Sequence, residues 1–464
     1  MAGGLGDVAG WRADLAAALQ AGDGDLARAI CRAAMAGPEA WDAEFALLTI
    51  EVNAGVLAAS EAPLLALAAR RPDSPDLWTR ICHVRSMLGR FDEAVVAGRR
   101  SLALAPDRVD ALHTMGTLLH NRRDFRGALE CFLRGTSLHP GHAGCHLGLA
   151  EALLMTGWFL PGWREYEWRY SLPDTRGRLP RTRRPQWSGA PLRSTLVVIA
   201  DQGYGDCFQF ARYLPLVAQR VGRLVVLCSP LLTGVLGRVP GVAACVNSLE
   251  KLPPHEFQIT LSGLPGLFAT GLQSIPGPVP YLSADPARVA HWKGALAALA
   301  GDARGPRVGF VWEGRPTPPP PSRRRSIPLG QMEAVIRTPG IVPVCLQVGL
   351  DPGVVGGTGM IDLGPALTNF AETAAVLANL DLVVTVDTAM AHLAGALGRP
   401  VWIALPWSAD WRWLDKRADS PWYPTARLFR CLEPGDFAQP LGEIAAALRR
   451  LAAGDGPGMI GEGP

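Results

Sequence analysis

Three short segments of this sequence set carboxylates, arginines, hydroxyls and a histidine beside glycines, in patterns that suit proton transfer and anion binding. The first is "ADQGYGDCFQF" (200–210), where Gly203 and Gly205 let the chain turn tightly from a strand into a helix and Asp206 falls at the helix start. A carboxylate there either caps the helix or takes a proton from an attacking hydroxyl. The second is "VWEGRPTPPPPSRRRSIPL" (311–329), which leaves a strand and ends in Arg323, Arg324, Arg325 and Ser326. Arginines at a strand end suit a diphosphate by charge and by forked hydrogen bonding; the other reading is a proline-rich lid with solvated charges. The third is "VTVDTAMAHLAGALGRPVWIAL" (384–405), where Asp387 and Thr388 lie at the change from buried strand to helix and either is a candidate N-cap. A helix start offers free N–H groups and a positive dipole end to an anion. His392 follows Thr388 by one turn on the same face, as a ligand contact or as a packed core residue.

Such loops need a scaffold that brings strand ends together. From residue 195 onward short β-branched runs alternate with helical patterns: "TLVVIA" (195–200), "RLVVLC" (223–228), "FQITL" (257–261), "RVGFVW" (307–312), "VPVCLQ" (342–347), "LDLVVTV" (380–386) and "PVWIAL" (400–405). Strands alternating with helices predict parallel, doubly wound sheets. They form two groups, so the expected domains are 195–290 and 305–453. Two such halves bind ligand in the cleft at the carboxyl ends of their strands.

The first third has a different periodicity. Prolines recur at 38, 72, 106 and 140 and phenylalanines at 91, 125 and 159, each 34 residues apart, with Ala94 and Ala128 in the same phase. Thirty-four residues is the period of a tetratricopeptide helix–turn–helix. Within one unit, Trp78, Ile81 and Leu88 form an apolar face, Gly89 ends the first helix, Phe91 plugs the pair and Ala94 permits close approach. Residues 1–171 are therefore expected to form a helical solenoid, the first 37 being degenerate. Its groove either holds a protein partner or is a spacer or dimerisation surface. Between the two regions, 172–194 reads as a basic, proline-rich linker. Arg176, Arg178, Arg181, Arg183 and Arg184 there either attract an anionic surface or form a solvated loop.

Composition narrows the class. The 464 residues are 48% hydrophobic and 19% charged, with a net charge of +3, so the chain is globular and gives no reason to expect nucleic-acid binding. Lysine occurs only at 251, 293 and 416. The nine cysteines contain no C-x-x-C pair and are odd in number, which predicts neither a disulfide framework nor a zinc site, but core thiols in a reducing compartment. The N-terminus is a poor signal peptide. The longest apolar stretch, 382–406, contains Asp387, His392 and Arg399, which argues against a membrane span. A cytoplasmic protein without a transmembrane segment is expected.

Together "QGYGDCFQFARY", "RRRSIPL" and "DTAMAHLAGALGRPVW" resemble bacterial tetratricopeptide-repeat glycosyltransferases, whose C-terminal part is similar to heptosyltransferases of the GT-B type. The segment "LPWSADWRWLDKRADSPWYPTARLFR" (405–430) also looks like this group, and five of the fourteen tryptophans lie in 402–422. The resemblance implies a tetratricopeptide solenoid followed by a GT-B pair of Rossmann-like lobes, the first on the acceptor side and the second on the nucleotide-sugar side. It implies transfer of a sugar from a nucleotide-sugar donor to a protein or glycan acceptor, with inversion and without a metal or other cofactor. Asp206 would be the base. Gly203, Gly205, Arg324, Arg325, Ser326, Asp387, Thr388 and His392 would hold the donor. The chain departs from the pattern at "RPTPPPPS" (315–322), whose four consecutive prolines have no N–H to offer a phosphate. The alternatives are a repeat scaffold with an inactive transferase region, or an epimerase of the same architecture.

Overall fold

The structure is a computed structural model and describes residues 10–172, 182–314, 323–351 and 353–457. It divides into two compact units, the second beginning at Ala150.

The first unit is built of antiparallel helix pairs: α1 (Trp11–Ala21), α2 (Gly24–Ala34), α3 (Ala40–Asn53), α4 (Leu57–Arg70), α5 (Pro75–Met87), α6 (Phe91–Leu104), α7 (Val109–Asn121), α8 (Phe125–Leu138) and the start of α9 (Ala143–Met155). The 34-residue period has a simple cause. Pro72, Pro106 and Pro140 each stand two residues beyond a helix end, where a residue that cannot continue a helix costs nothing. Gly89, at φ 81°, closes α5 in the left-handed conformation. Asp124 caps α8 through the Gly127 N–H at 3.0 Å. Ala94 and Ala128 are fully buried. A Cβ on Gly116 would meet the Phe132 ring at 2.7 Å, so small residues are what let these helices touch.

The second unit opens with the rest of α9 and with α10 (Phe159–Tyr166), followed by two parallel sheets. The first has the order β3-β2-β1-β4, from β1 (Leu192–Ile199), β2 (Val221–Leu227), β3 (Val242–Val246) and β4 (Phe257–Thr260). The second has the order β10-β9-β8-β5-β6-β7, from β5 (Arg307–Val311), β6 (Val342–Cys345), β7 (Ile361–Asp362), β8 (Leu382–Val386), β9 (Val401–Leu405) and β10 (Ala426–Arg430). Their helices are α11 (Tyr204–Phe210), α12 (Leu214–Ala218), α13 (Thr233–Leu236), α14 (Leu264–Leu267), α15 (Pro286–Ala300), α16 (Leu329–Ile336), α17 (Phe370–Leu377), α18 (Ala389–Ala396) and α19 (Ala438–Ala452). The central strands β8 and β9 are buried along their whole length, as an apolar run covered on both faces requires. The architecture is a tetratricopeptide-like helical region followed by a GT-B-like pair of parallel α/β lobes. Among the described residues, no helix is long and apolar enough to cross a membrane.

Two expected boundaries move. The linker 172–194 is in part structured. Thr182–Trp187 runs along β4: Trp187 donates its N–H to Gln258 O at 2.8 Å, and Gln258 donates to Pro185 O at 3.0 Å. β1 already begins at Leu192. A free sheet edge draws backbone onto itself, which a proline-rich composition conceals. Arg176, Arg178 and Arg181 lie outside the described residues, as does "RPTPPPPS". The first lobe also ends earlier than 290. α15 packs on α17, with the Trp292 indole donating to Glu372 at 2.8 Å and Asn379 donating to Val289 O at 3.0 Å.

The tryptophan-rich stretch after β9 is where α10 docks. Phe159 stacks on Trp422 at 5.8 Å, and Trp163 meets Trp411 edge-on at 5.3 Å. Large aromatic faces of this kind contribute burial and oriented ring contacts together.

Candidate functional site

The site lies where strands of both sheets end. Asp201, just past β1, is consumed structurally: it accepts from the Tyr170 hydroxyl at 2.7 Å and from the Ser262 N–H at 3.1 Å. That leaves Asp206, in the first turn of α11, as the carboxylate of this loop that turns toward the second lobe. Neither glycine of the loop takes a left-handed φ. Gly203 stands in the turn as the N-cap of α11 but needs no glycine-only conformation, and Gly205 serves to make room. A Cβ on Gly205 would sit 2.6 Å from His392 Cδ2, and one on Gly203 would sit 3.2 Å from Asp206 Oδ2. Gly205 thus lets α11 and α18 meet across the lobes, joining the first motif to the third.

In the third motif Thr388 is the N-cap of α18, accepting from the Met390 N–H at 3.3 Å, while Asp387 stands beside it, buried. His392 is enclosed. Its ring stacks on Trp413 at 5.1 Å, its Nδ1 shares a 2.9 Å hydrogen bond with the Tyr423 hydroxyl, and its Nε2 lies 3.9 Å from Asp387. Burial, with the charge of Arg412, pushes His392 down to about 3, so the imidazole is neutral. Burial and the charge of Asp410 push Asp387 up to about 6, against the pull of Arg325, Trp413 and Arg412.

The second motif is divided. Ser326 Oγ accepts from the Gly314 N–H at 3.1 Å and Ile327 donates to Trp312 O at 2.8 Å, so the loop is pinned back onto the end of β5. Arg325 then lies 4.0 Å from Asp387, and Arg323 lies 3.6 Å from Glu151 on α9. Arg324, between them, is exposed and makes no ion pair among the described residues. Of the arginines expected at the donor, Arg325 stands beside Asp387, and Arg324 is turned away from that group, while Arg323 approaches Glu151.

Sequence reasoning missed the group that joins these parts. Arg412, in the turn after β9, is 8% exposed. It donates to Asp410 at 2.7 Å through one nitrogen, and pairs with Asp206 through the other. Its face lies 4.2 Å from the centre of the Trp411 ring. Burial raises Asp206 above the usual carboxylate range, with Arg412 holding it down in part. Asp410 is also penalised by burial, but Arg412 draws it below its ordinary value. Buried Tyr166 completes the wall, next to Arg412 and Asp206. The available signal was position: Asp410 and Arg412 follow a strand end as the three chosen loops do. Among the described residues, no group of three or more His, Cys, Asp or Glu is placed to hold a metal.

The neutral imidazole has a measurable consequence. In the unfolded chain His392 protonates near 6.5, whereas in the fold it does not until about 3. Stability from this group is therefore present above 6.5 and is lost as the pH falls toward 3, because only the unfolded state gains the proton. Asp387 works in the opposite sense up to about 6, since the fold favours its protonated form. Thermal unfolding of the wild type and His392→Gln between about pH 4 and 7 should show a flatter acid limb in the variant; parallel curves would contradict the neutral assignment.

The chain is 30% identical over 428 residues to Protein FlbA of Caulobacter vibrioides, a match that covers 84% of this chain and 70% of that protein. Residues 362–405, from β7 to the end of β9, match the family described as Glycosyltransferase family 9 (heptosyltransferase); they include Asp387, Thr388 and His392. Among solved structures, MamA MSR-1 C2 is similar at 17% identity over 36% of this chain and 97% of that one, with a TM-score of 0.28. A thermophilic tetratricopeptide-repeat protein of Thermus thermophilus, TTC0263, is similar at 15% identity over 36% and 93%, with a TM-score of 0.33.

Proposed function

Because this chain belongs to the family of tetratricopeptide-repeat proteins with a heptosyltransferase-like C-terminal region, we propose that its second unit transfers a sugar from a nucleotide-sugar donor to a protein or glycan acceptor. The observation that carries this reading is the convergence of Asp206 from one sheet with Asp387, His392, Asp410 and Arg412 from the other, at the carboxyl ends of parallel strands.

In this reading the donor lies on the second lobe. The N-terminus of α18, capped by Thr388, and the guanidinium groups of Arg323 and Arg325 meet the charge of the diphosphate, a task that needs no metal. Gly205 and His392 set the floor between the lobes. Asp206 accepts the proton of the acceptor hydroxyl as its oxygen attacks the anomeric carbon. The bond from that carbon to the diphosphate breaks on the opposite face, its electron pair leaving with the nucleoside diphosphate, and the configuration inverts. The helical repeats recruit the acceptor or a partner through their groove.

The test is a melting-temperature panel of uridine, guanosine, cytidine, adenosine and thymidine diphosphates and their sugars. A ligand at about 100 times its Kd stabilises by about 2.7 kcal/mol, which moves the melting temperature by several degrees. One nucleotide class should do so. If none does, the donor site is refuted and a repeat scaffold with an inactive transferase region is the better reading.

A further inference from the structure

We propose that Arg412 is a positioning residue that holds Asp206 in an ion pair while the donor subsite is empty, and releases it when a diphosphate takes over the guanidinium. The inference rests on the transferase reading of the cleft.

Arg412 divides its donors between two carboxylates of different origin. Asp410 belongs to the same loop and binds it twice, through the guanidinium at 2.7 Å and the backbone N–H at 3.0 Å. This anchor, with the Trp411 ring beneath, fixes the arginine whatever else it binds. Asp206 comes from the other sheet and shares only the remaining nitrogen. A guanidinium has a planar fork of donors that fits two oxygens of a diphosphate as well as it fits a carboxylate. A diphosphate carries more charge than Asp206 and should win that nitrogen.

The exchange acts on the base. The charged or titratable groups around Asp206 are Arg412, Asp410, Asp201, Tyr166 and the Cys207 thiol of its own helix. Arg412 is the cation among them, and it lowers the basicity of Asp206. When the diphosphate takes the nitrogen that Asp206 had shared, the arginine staying on Asp410, Asp206 becomes a stronger proton acceptor at the moment a donor is in place. The empty site is quiet, and the loaded site is able to deprotonate a hydroxyl.

Calorimetric titration with the five nucleoside diphosphates, in two buffers of different ionisation enthalpy, tests this directly. Across a series of pH values, the wild type should take up protons on binding one of them at the acid end, and fewer as the pH rises to where the loaded Asp206 stays ionised and can act as the base. Asp206→Asn should lose that uptake and bind about three- to tenfold more tightly, since the diphosphate no longer competes with a carboxylate. Arg412→Gln should bind about tenfold or more weakly, the loss of one charge-assisted contact. Asp206→Asn carries the test alone if Arg412→Gln does not fold. Binding by the wild type with unchanged affinity and unchanged proton uptake in Asp206→Asn overturns the exchange while leaving the donor site standing. Absence of binding by all five diphosphates overturns the transferase reading and the exchange with it.

Discussion

Asp206→Asn should lower transfer by about 10²–10⁴-fold while leaving the fold in place. The substitution keeps the shape and removes the proton acceptor. Its effect on stability should be small for a specific reason. Removing one partner of a buried ion pair costs about 3–5 kcal/mol when the other is left alone, but Arg412 keeps Asp410 at 2.7 Å and still has an amide oxygen to donate to. Steady-state kinetics should therefore show the loss in kcat, with the donor KM unchanged or lower. A variant that melts with the wild type yet retains more than about a tenth of its turnover would remove Asp206 from the base role.

Gly205→Val should be the most damaging single substitution at the junction of the two lobes. In a helix, replacing glycine ordinarily gains about 0.5–1 kcal/mol for alanine. Here the new Cβ would stand 2.6 Å from His392, whose ring is held by Trp413 on one side and the Tyr423 hydroxyl on the other and has nowhere to go. Overpacking of this kind costs about 1–3 kcal/mol or more. Urea denaturation should show a loss of at least that size, and activity should fall as the lobes are forced apart. Gly203→Ala is the comparison: its Cβ would meet only a carboxylate oxygen at 3.2 Å, which can rotate aside. Gly205→Ala combined with His392→Ala should be milder than the sum of the two, because the cavity left by one holds the methyl group added by the other. Additive costs would mean that the contact does not limit the packing.

These two residues also show how far the sequence could be read. The interior strands β1, β2, β8 and β9 were legible as continuous β-branched runs, because strands covered on both faces need them. The strands that escaped notice lie toward the sheet edges. β3 is the half-buried, small-residue run Val242–Val246, β7 has two residues, and β10 carries two arginines among its five residues. Edge positions do not demand a uniform apolar pattern, so nothing in the composition marks them. Asp206, Asp387 and His392 were legible because each stands just past a strand end. The pairing of Asp206 with Arg412 spans 206 residues of sequence, and such partners are chosen by tertiary structure alone. Glu151 and Tyr166 were hidden for the same reason: they belong to helices that read as repeat, yet they face the arginines of the α/β unit.

The central claim, that this cleft moves a sugar off a nucleotide, is most directly tested by mass spectrometry of nucleoside diphosphate released from a panel of nucleotide sugars. The account predicts that the wild type releases one nucleoside diphosphate, faster when an acceptor is supplied, and that Asp206→Asn binds the same nucleotide sugar but releases it at least about a hundredfold more slowly. Equal release by the two proteins, or release by neither, would contradict it.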